Sequence, residues 1–327
     1  MENLSNHTTF RVGGPANNFV RASNESEIIA AIEAAGDQPI LILGSGSNVL
    51  ISDTGFPGTV IQIANNKVAA EVDACSGATL SIGAGENWDD FVKTTIDRGW
   101  AGLETLSGIP GTVGAALIQN IGAYGVEVAQ YIDHITAYDV THSQFAKLTN
   151  SQCQFAYRDS IFKQHPKQFI ITQVSFKLPK QWQARLHYAD LATLAPETTQ
   201  AKDIFDAVCN IRSNKLPNPA MIGNAGSFFQ NPLVSNEQYQ SLLKEFPNLV
   251  SYPDAGNKRK LAAGWLIDQC GLKGQRMGNV GVYENQALVL VNHGGGTAQD
   301  ILGLAKCIQD AVHSKFGVKL EIEPNIF

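Results

Sequence analysis

At 327 residues the chain is long enough for about two domains, and its 44% hydrophobic content supplies real cores, which excludes a disordered chain. A net charge of −6 argues against nucleic acid as a main partner, although a small anion answers only to local charge. The five cysteines (Cys75, Cys153, Cys209, Cys270 and Cys307) are scattered and form no C-x-x-C pair, which excludes a disulfide framework and a zinc ribbon and fits a reducing compartment.

The opening residues 1–7 are polar, with no apolar core of a signal peptide, and no run approaches the roughly 18 apolar residues of a membrane span. A cytoplasmic protein with no membrane partner is expected. Residues 25–36 have helical spacing, with Ser23 or Asn24 as N-cap and Gly36 as the stop. Residues 39–43 form a short apolar run ended by Gly44, as a buried strand would, and 59–63 and 79–83 read as further strands. Residues 88–98 are helical behind Asn87. Alternation marks strands at 132–138 and 169–178, the second closed by Pro179, and a helix follows at 203–212. Leu216-Pro217-Asn218-Pro219 is the best linker, since two prolines cannot sit inside an element. Beyond it come helices at 236–245 and 262–269, a strand at 287–292, a long helix at 298–316 and a terminal strand at 318–322. Strands and helices are interspersed without strict alternation, so the class is α+β with a division near Pro217.

Two glycine clusters stand out. Gly44-Ser45-Gly46-Ser47-Asn48 follows a strand but fails the dinucleotide fingerprint: Val49 holds the third glycine position, and Asn65 and Asn66 stand where an acidic residue belongs. It is either a hairpin turn or a loop whose successive backbone N–H groups hold a pyrophosphate. The second cluster includes Gly108, Ile109, Pro110, Gly111, Gly114, Asn120, Gly122 and Gly125. It carries too little charge for a solvated loop and too much glycine for a core helix. Such backbone suits a flat, partly apolar ligand such as an isoalloxazine or adenine ring. Gly83-Ala84-Gly85-Glu86-Asn87 reads as a strand-to-helix turn.

Tyr157-Arg158-Asp159-Ser160 offers either an ion pair or a bidentate clamp for a carboxylate, and the residues alone favour the ion pair. In Asn224-Ala225-Gly226-Ser227-Phe228-Phe229, Ser227 could donate a proton, and no G-x-S-x-G elbow is present to make it a hydrolase nucleophile. The seven histidines, His187 among them, show no metal-binding spacing, and no metal is expected. Glu321 and Glu323, at i and i+2 on a strand, would share a face, which by itself is a charged terminal edge.

Taken in series from Thr9-Phe10 to Glu323, these motifs resemble those of the UDP-N-acetylenolpyruvoylglucosamine reductase family over nearly the whole chain. The segment 186–191 is similar to the tyrosine loop of its type I subgroup. The resemblance implies an α+β fold: a two-subdomain FAD-binding domain of the vanillyl-alcohol-oxidase (PCMH) type, at 1–65 and 66–216 with 318–327 returning to the first, and an α+β substrate-binding domain at 217–317. It implies bound FAD, NADPH as reducing co-substrate, and reduction of the enolpyruvyl double bond of a nucleotide-sugar to UDP-N-acetylmuramate for peptidoglycan, by a monomer. It assigns FAD contacts to Gly44, Ser45, Gly46, Ser47, Asn48, Ile109, Pro110, Gly111, Gly114, Asn120, Gly122 and Gly125. Tyr188, Lys215, Asn231 and Gln286 fall at substrate positions. Arg158 would hold the substrate carboxylate, Glu323 would assist, and Ser227 would protonate the carbon. Asn325 stands where type I members usually carry an arginine, which leaves Glu321 as the alternative carboxylate. The competing readings are a flavin oxidase of alcohols or hydroxy acids and a non-catalytic nucleotide-sugar binder.

Overall fold

Helix ends are set by short-range hydrogen bonds, and most fall where the local signals put them. The computed structural model describes residues 1–73, 77–186, 188–254 and 256–327; Cys75 and His187 lie outside the described residues. The helices are α1 (Glu25–Ala35), α2 (Trp88–Asp97), α3 (Val113–Ile118), α4 (Ile161–Gln164), α5 (Ala201–Lys215), α6 (Asn236–Glu245), α7 (Ala263–Gln269) and α8 (Ala298–Phe316). Asn24 caps α1 by accepting the Glu27 amide, and Asn87 caps α2 by accepting that of Asp90. α8 begins on a full capping box, Thr297 with Asp300, and ends on Gly317 in the left-handed region. None of these helices is long and apolar enough to cross a membrane.

The chain divides into two compact units. The first holds Met1, Ala16–Ser45 and Pro57–Asn214; the second holds Glu2–Pro15, Gly46–Phe56 and Lys215–Phe327. In the first, an antiparallel sheet runs in the order Gln144–Thr149, Ile132–Asp139, Phe169–Pro179, Gly77–Gly83, Val68–Asp73. Ile40–Leu43 pairs in parallel with Phe56–Ile63. The core of this unit gathers around Trp88, Phe91 and Phe176, whose rings lie 4.9–6.2 Å apart. A smaller cluster of Leu191, Ile204 and Val208 packs with Tyr124, Trp182 and Leu186.

In the second unit a sheet runs Gly223–Ser227, Val289–Asn292, Val280–Val282, Arg276–Met277, against which α8 buries Ile301, Leu304, Ala305, Ile308 and Val312. That spacing is the apolar stripe of an amphipathic helix. Asp53 reaches the start of α8, where its carboxylate accepts the amides of Ala298 (2.8 Å) and Gln299 (3.1 Å).

The chain end departs from expectation. Residues 318–322 form no strand; Ile322 makes a single bridge with Phe229. The alternation there comes from Val318 and Leu320 packing into the core around α8, and the Leu320 carbonyl is taken by the Gln309 side chain at 2.8 Å instead of by a strand. The terminal strand is Asn325–Ile326, parallel to Val49–Leu50.

Replacing Asp53 by alanine removes the acceptor of two α8 amides and should cost about 1 kcal/mol. Thermal unfolding should show a drop of about 2–4 °C, with Asp53→Asn keeping part of it; an unchanged midpoint would show that water caps the helix equally well.

Candidate active site

The Gly44 loop begins where the strand Ile40–Leu43 ends. A Cβ on Gly44 would sit 2.7 Å from Thr112 Oγ1, so within the first unit this loop lies directly on the second glycine cluster at the start of α3. Thr112 is itself the N-cap of α3. In the second unit Gly46 adopts φ 68°, and a Cβ there would fall 1.9 Å from the His7 carbonyl, so no other residue fits. Three of the loop's five carbonyls accept hydrogen bonds: Gly44 from Gln62 Nε2, Gly46 from the Thr9 amide and Asn48 from the Asn325 amide. The loop carries no acidic side chain, and its glycine, serine and asparagine residues are types suited to a pyrophosphate.

The second cluster corrects one expectation. Part of it is a core helix after all: α3 buries Val113, Gly114, Ala116 and Leu117. Glycine is tolerated because the backbone must come close. The Gly114 amide donates to the Ala84 carbonyl at 2.8 Å, and a Cβ on Gly114 would lie 2.7 Å from that of Ala84. The turn 83–87 enters α2 and is clasped to this segment by Val113 N–H to Glu86 O and Trp88 N–H to Gly111 O. Burial raises the Glu86 carboxyl on that turn above its ordinary range. Ile109 and Pro110 lie on the approach to Gly111. Just before them the carbonyl of Gly108 is held by Arg212 Nε (3.1 Å) and its amide by Asp89 (2.6 Å).

Two residues past the end of α3 comes Asn120, which is fully buried at φ 45°. Its side chain donates to Glu127 (2.9 Å) and to the Ala156 carbonyl (3.0 Å), and accepts from Ala129. Gly122–Ala123 then pairs with Val126–Glu127 through a two-residue turn, Tyr124-Gly125, both at positive φ, the geometry that tightens a hairpin. Arg158 comes to this place from a tight turn closed by Ala156 and Asp159, and it holds φ 54°, a conformation that a side chain adopts at a cost of about 1–2 kcal/mol. Its guanidinium reaches the carbonyls of Asn120 (3.5 Å) and Gly122 (3.3 Å), while Lys163 Nζ donates to the Arg158 carbonyl at 2.8 Å. The Asp159 carboxylate takes the Ser160 amide and the Gln164 side chain. Tyr188 reaches the same hairpin, edge-on to Tyr124 at 5.7 Å. The first unit thus gathers Asn120, Gly122, Gly125, Arg158 and Tyr188.

In the second unit the run 227–231 is threaded between two segments. Phe228 N–H donates to the Leu288 carbonyl; on the other side Glu323 N–H donates to the Phe228 carbonyl and Gln230 N–H to that of Glu321. Phe228 and Phe229 are fully buried, which anchors the exposed Ser227 that precedes them, at a break in register of Gly223–Ser227. The two glutamates do not share a face: Glu323 is 9% exposed, whereas Glu321 is exposed. Asn231 Oδ1 accepts the Ala263 amide, and Gln286 Oε1 lies beside Gly264 while accepting the Leu288 amide, so Asn231 and Gln286 stand at the same end of α7. Lys215, the exposed last residue of α5, belongs to this unit.

Sequence reading takes Tyr124 only as part of the second cluster and gives it no role of its own; the structure sets its ring against that of Tyr188. Only the positive φ at Tyr124 marks it, and backbone angles are not legible in an ordinary tyrosine.

Comparison with known proteins identifies the family. The family model for an FAD binding domain matches residues 16–144, and that for the C-terminal domain of UDP-N-acetylenolpyruvoylglucosamine reductase matches residues 218–327. The UDP-N-acetylenolpyruvoylglucosamine reductase of Polynucleobacter asymbioticus is 58% identical over 329 residues, covering 99% of this chain and 94% of that protein. The Bordetella pertussis enzyme of that name is 46% identical over 328 residues, covering 99% and 93%. The crystal structure of UDP-N-acetylenolpyruvylglucosamine reductase from Thermus caldophilus aligns with a TM-score of 0.71 at 25% identity, over 100% of this chain and 97% of that one. With 58% identity to one such enzyme over 99% of its length, the chain belongs to the UDP-N-acetylenolpyruvoylglucosamine reductase family.

Proposed function

We infer that this chain is an NADPH-dependent flavoenzyme that reduces the enolpyruvyl double bond of UDP-N-acetylenolpyruvoylglucosamine to UDP-N-acetylmuramate, a step of peptidoglycan precursor synthesis. The observation that carries it is the 58% identity to a reductase of that name across 99% of the chain. FAD held by this chain would supply the hydride-transfer chemistry that carries two electrons from NADPH to the double bond. The chain's own residues hold the cofactor, orient the substrate and move a proton. Gly44 to Asn48 would hold the pyrophosphate of FAD, and the backbone from Ile109 to Gly125 would lie along the rest of it. The Arg158 fork suits a carboxylate and the charge that develops on it. The Ser227 hydroxyl is exposed beside a rigid aromatic pair and supplies the proton to the substrate carbon. The buried position of Glu323, next to Ser227 along the Phe228 carbonyl bond, favours it over Glu321 as the assisting carboxylate. Lys215 meets the diphosphate as a point charge, and Tyr188, Asn231 and Gln286 complete the substrate contacts.

The same reading makes 1–65, with 318–327 returning to it, and 66–216 the FAD-binding subdomains and 217–317 the substrate-binding domain; the pairing of Asn325–Ile326 with Val49–Leu50 supports that return. It places a monomer in the cytoplasm. Cys153, Cys209, Cys270 and Cys307 are free thiols, as a reducing compartment keeps them, and burial pushes the Cys153 thiol up to about 12, which leaves it inert.

NADPH consumption with and without enolpyruvyl-UDP-GlcNAc tests the whole reading; a rate independent of that substrate would overturn it. Ser227→Ala should leave bleaching of flavin absorbance by NADPH nearly unchanged and slow its return on adding substrate by about 10²–10⁴-fold, with Ser227→Cys recovering part. Equal slowing of both phases would mean that the hydroxyl is not the proton donor.

Glu323→Gln should likewise cripple only the substrate-dependent phase, while Glu321→Gln stays near wild type. The reverse result would make Glu321 the acting carboxylate. A Cβ on Gly122 would lie 2.9 Å from the Val126 carbonyl, so Gly122→Val should yield protein with less FAD per chain. Full flavin occupancy in that variant would remove the hairpin from the cofactor site.

A further inference from the structure

We propose that Asn224 is a positioning residue for proton transfer: its carboxamide locks a one-residue bulge in the strand Gly223–Ser227, and the bulge aims the Ser227 hydroxyl. The proposal rests on the reading of Ser227 as the proton donor. Ser227 is exposed, so packing does not hold its side chain, and its direction follows from the backbone that carries it. That backbone is irregular. Asn224 pairs with Val291 and Ser227 with Val289, so three steps on one strand meet two on the other, and Ala225 and Gly226 share the place opposite Leu290. In a regular strand Ser227 would stand opposite Leu288, and its side chain would leave from the other face of the sheet. Re-aiming a side chain is what a bulge of this kind does.

The extra residue interrupts the ladder, so the bulge needs another hold. Gly226 sits at φ 68°, which glycine adopts at no steric cost, and its amide donates to Asn224 Oδ1 at 2.9 Å. The other end of the carboxamide fixes which way round it lies. Nδ2 donates to the carbonyls of Ile222 (2.9 Å) and Pro217 (3.2 Å). Two carbonyls can be met only by the NH2 and an amide only by the oxygen, so the group fits in one orientation and an aspartate would not serve. Asn224 is 2% exposed, which leaves little room for water to replace these bonds. The main chain is pinned on both sides of the bulge: the Asn224 amide donates to the Thr9 carbonyl at 3.0 Å, and the Phe228 amide to that of Leu288 at 2.8 Å. Between those two points the Asn224 side chain holds Gly226, and Gly226 carries Ser227.

Gly226→Ala tests the backbone angle without disturbing the core. A Cβ there meets nothing within 4 Å, so the change acts through φ alone. In the FAD-loaded full-length protein, FAD per chain and flavin bleaching by NADPH should be unchanged. The return of absorbance on adding enolpyruvyl-UDP-GlcNAc should slow about 10- to 100-fold, the scale of a small misplacement of a reacting group. Gly226→Asn should slow it less, because asparagine tolerates the left-handed region better than alanine. Asn224→Ser, whose hydroxyl can still accept an amide two residues on, should likewise retain more than Asn224→Ala. Adding Gly226→Ala or Asn224→Ala to Ser227→Ala should bring no further slowing, because a positioning residue acts only through the residue it positions. If either change leaves the substrate-dependent phase at the wild-type rate, or adds to the effect of Ser227→Ala, the proposal is overturned. A Gly226→Ala protein that loses FAD or slows in both phases shows an ordinary structural contact and overturns it too. If Ser227→Ala by itself leaves the substrate-dependent phase unslowed, the reading of Ser227 has failed and the role of Asn224 falls with it.

Discussion

The unit built on Pro57–Asn214 is organised by one backbone lying against another at Gly114. Its amide donates to Ala84 at 2.8 Å with no room for a side chain at Gly114, so α3 is pressed onto the turn that opens α2. The position of α2 follows, because Trp88 is bonded to Gly111; so does the place of Gly44, which rests on Thr112 at the cap of α3. At its other end α3 delivers Ile118, whose carbonyl Ser160 holds at 2.6 Å, and Asn120, whose carbonyl faces Arg158. A single hydrogen bond contributes only about 0.5–1.5 kcal/mol net. The larger penalty for a side chain at Gly114 would be the separation of everything attached to α3.

A second regularity concerns how the two side chains proposed to act on the substrate, Ser227 and Arg158, are held. Ser227 is exposed, yet the two residues after it are fully buried aromatics, and the backbone of the pair is bonded on both sides. Arg158 carries a strained backbone angle, but its carbonyl is bonded by Lys163 and its turn is closed by Ala156 and Asp159. In both cases the tip of the side chain is positioned by packing that has no chemistry of its own, the arrangement that keeps a polar group aimed without a flexible search.

The structure also separates patterns that look alike in a sequence. Alternation at 79–83 reflects strand pairing, since Gly77–Gly83 sits inside a sheet. Alternation at 318–322 reflects packing into the core around α8, with the carbonyl of Leu320 taken by a side chain. The two have the same period because any extended chain on an apolar surface shows it. Glycine content misled in a similar way: propensity excluded a helix at 113–118, and close approach of main chain overrode propensity.

What the sequence alone determined is whatever closes over a few residues. The ends of α6 and α8 were legible to the residue because Ser235, Thr297 and Gly317 act on amides and carbonyls within a turn of themselves. The motif residues, from Gly44 to Glu323, were legible as types suited to pyrophosphate, carboxylate and proton transfer. Their grouping was not: Gly44 on Thr112, Arg158 on Asn120 and Gly122, and Glu323 beside Phe228 all join residues dozens of positions apart. Nor could a two-residue period choose between Glu321 and Glu323, which it treats as equivalent. Only the fold buries one and exposes the other, because burial depends on what other parts of the chain come to lie against each side chain.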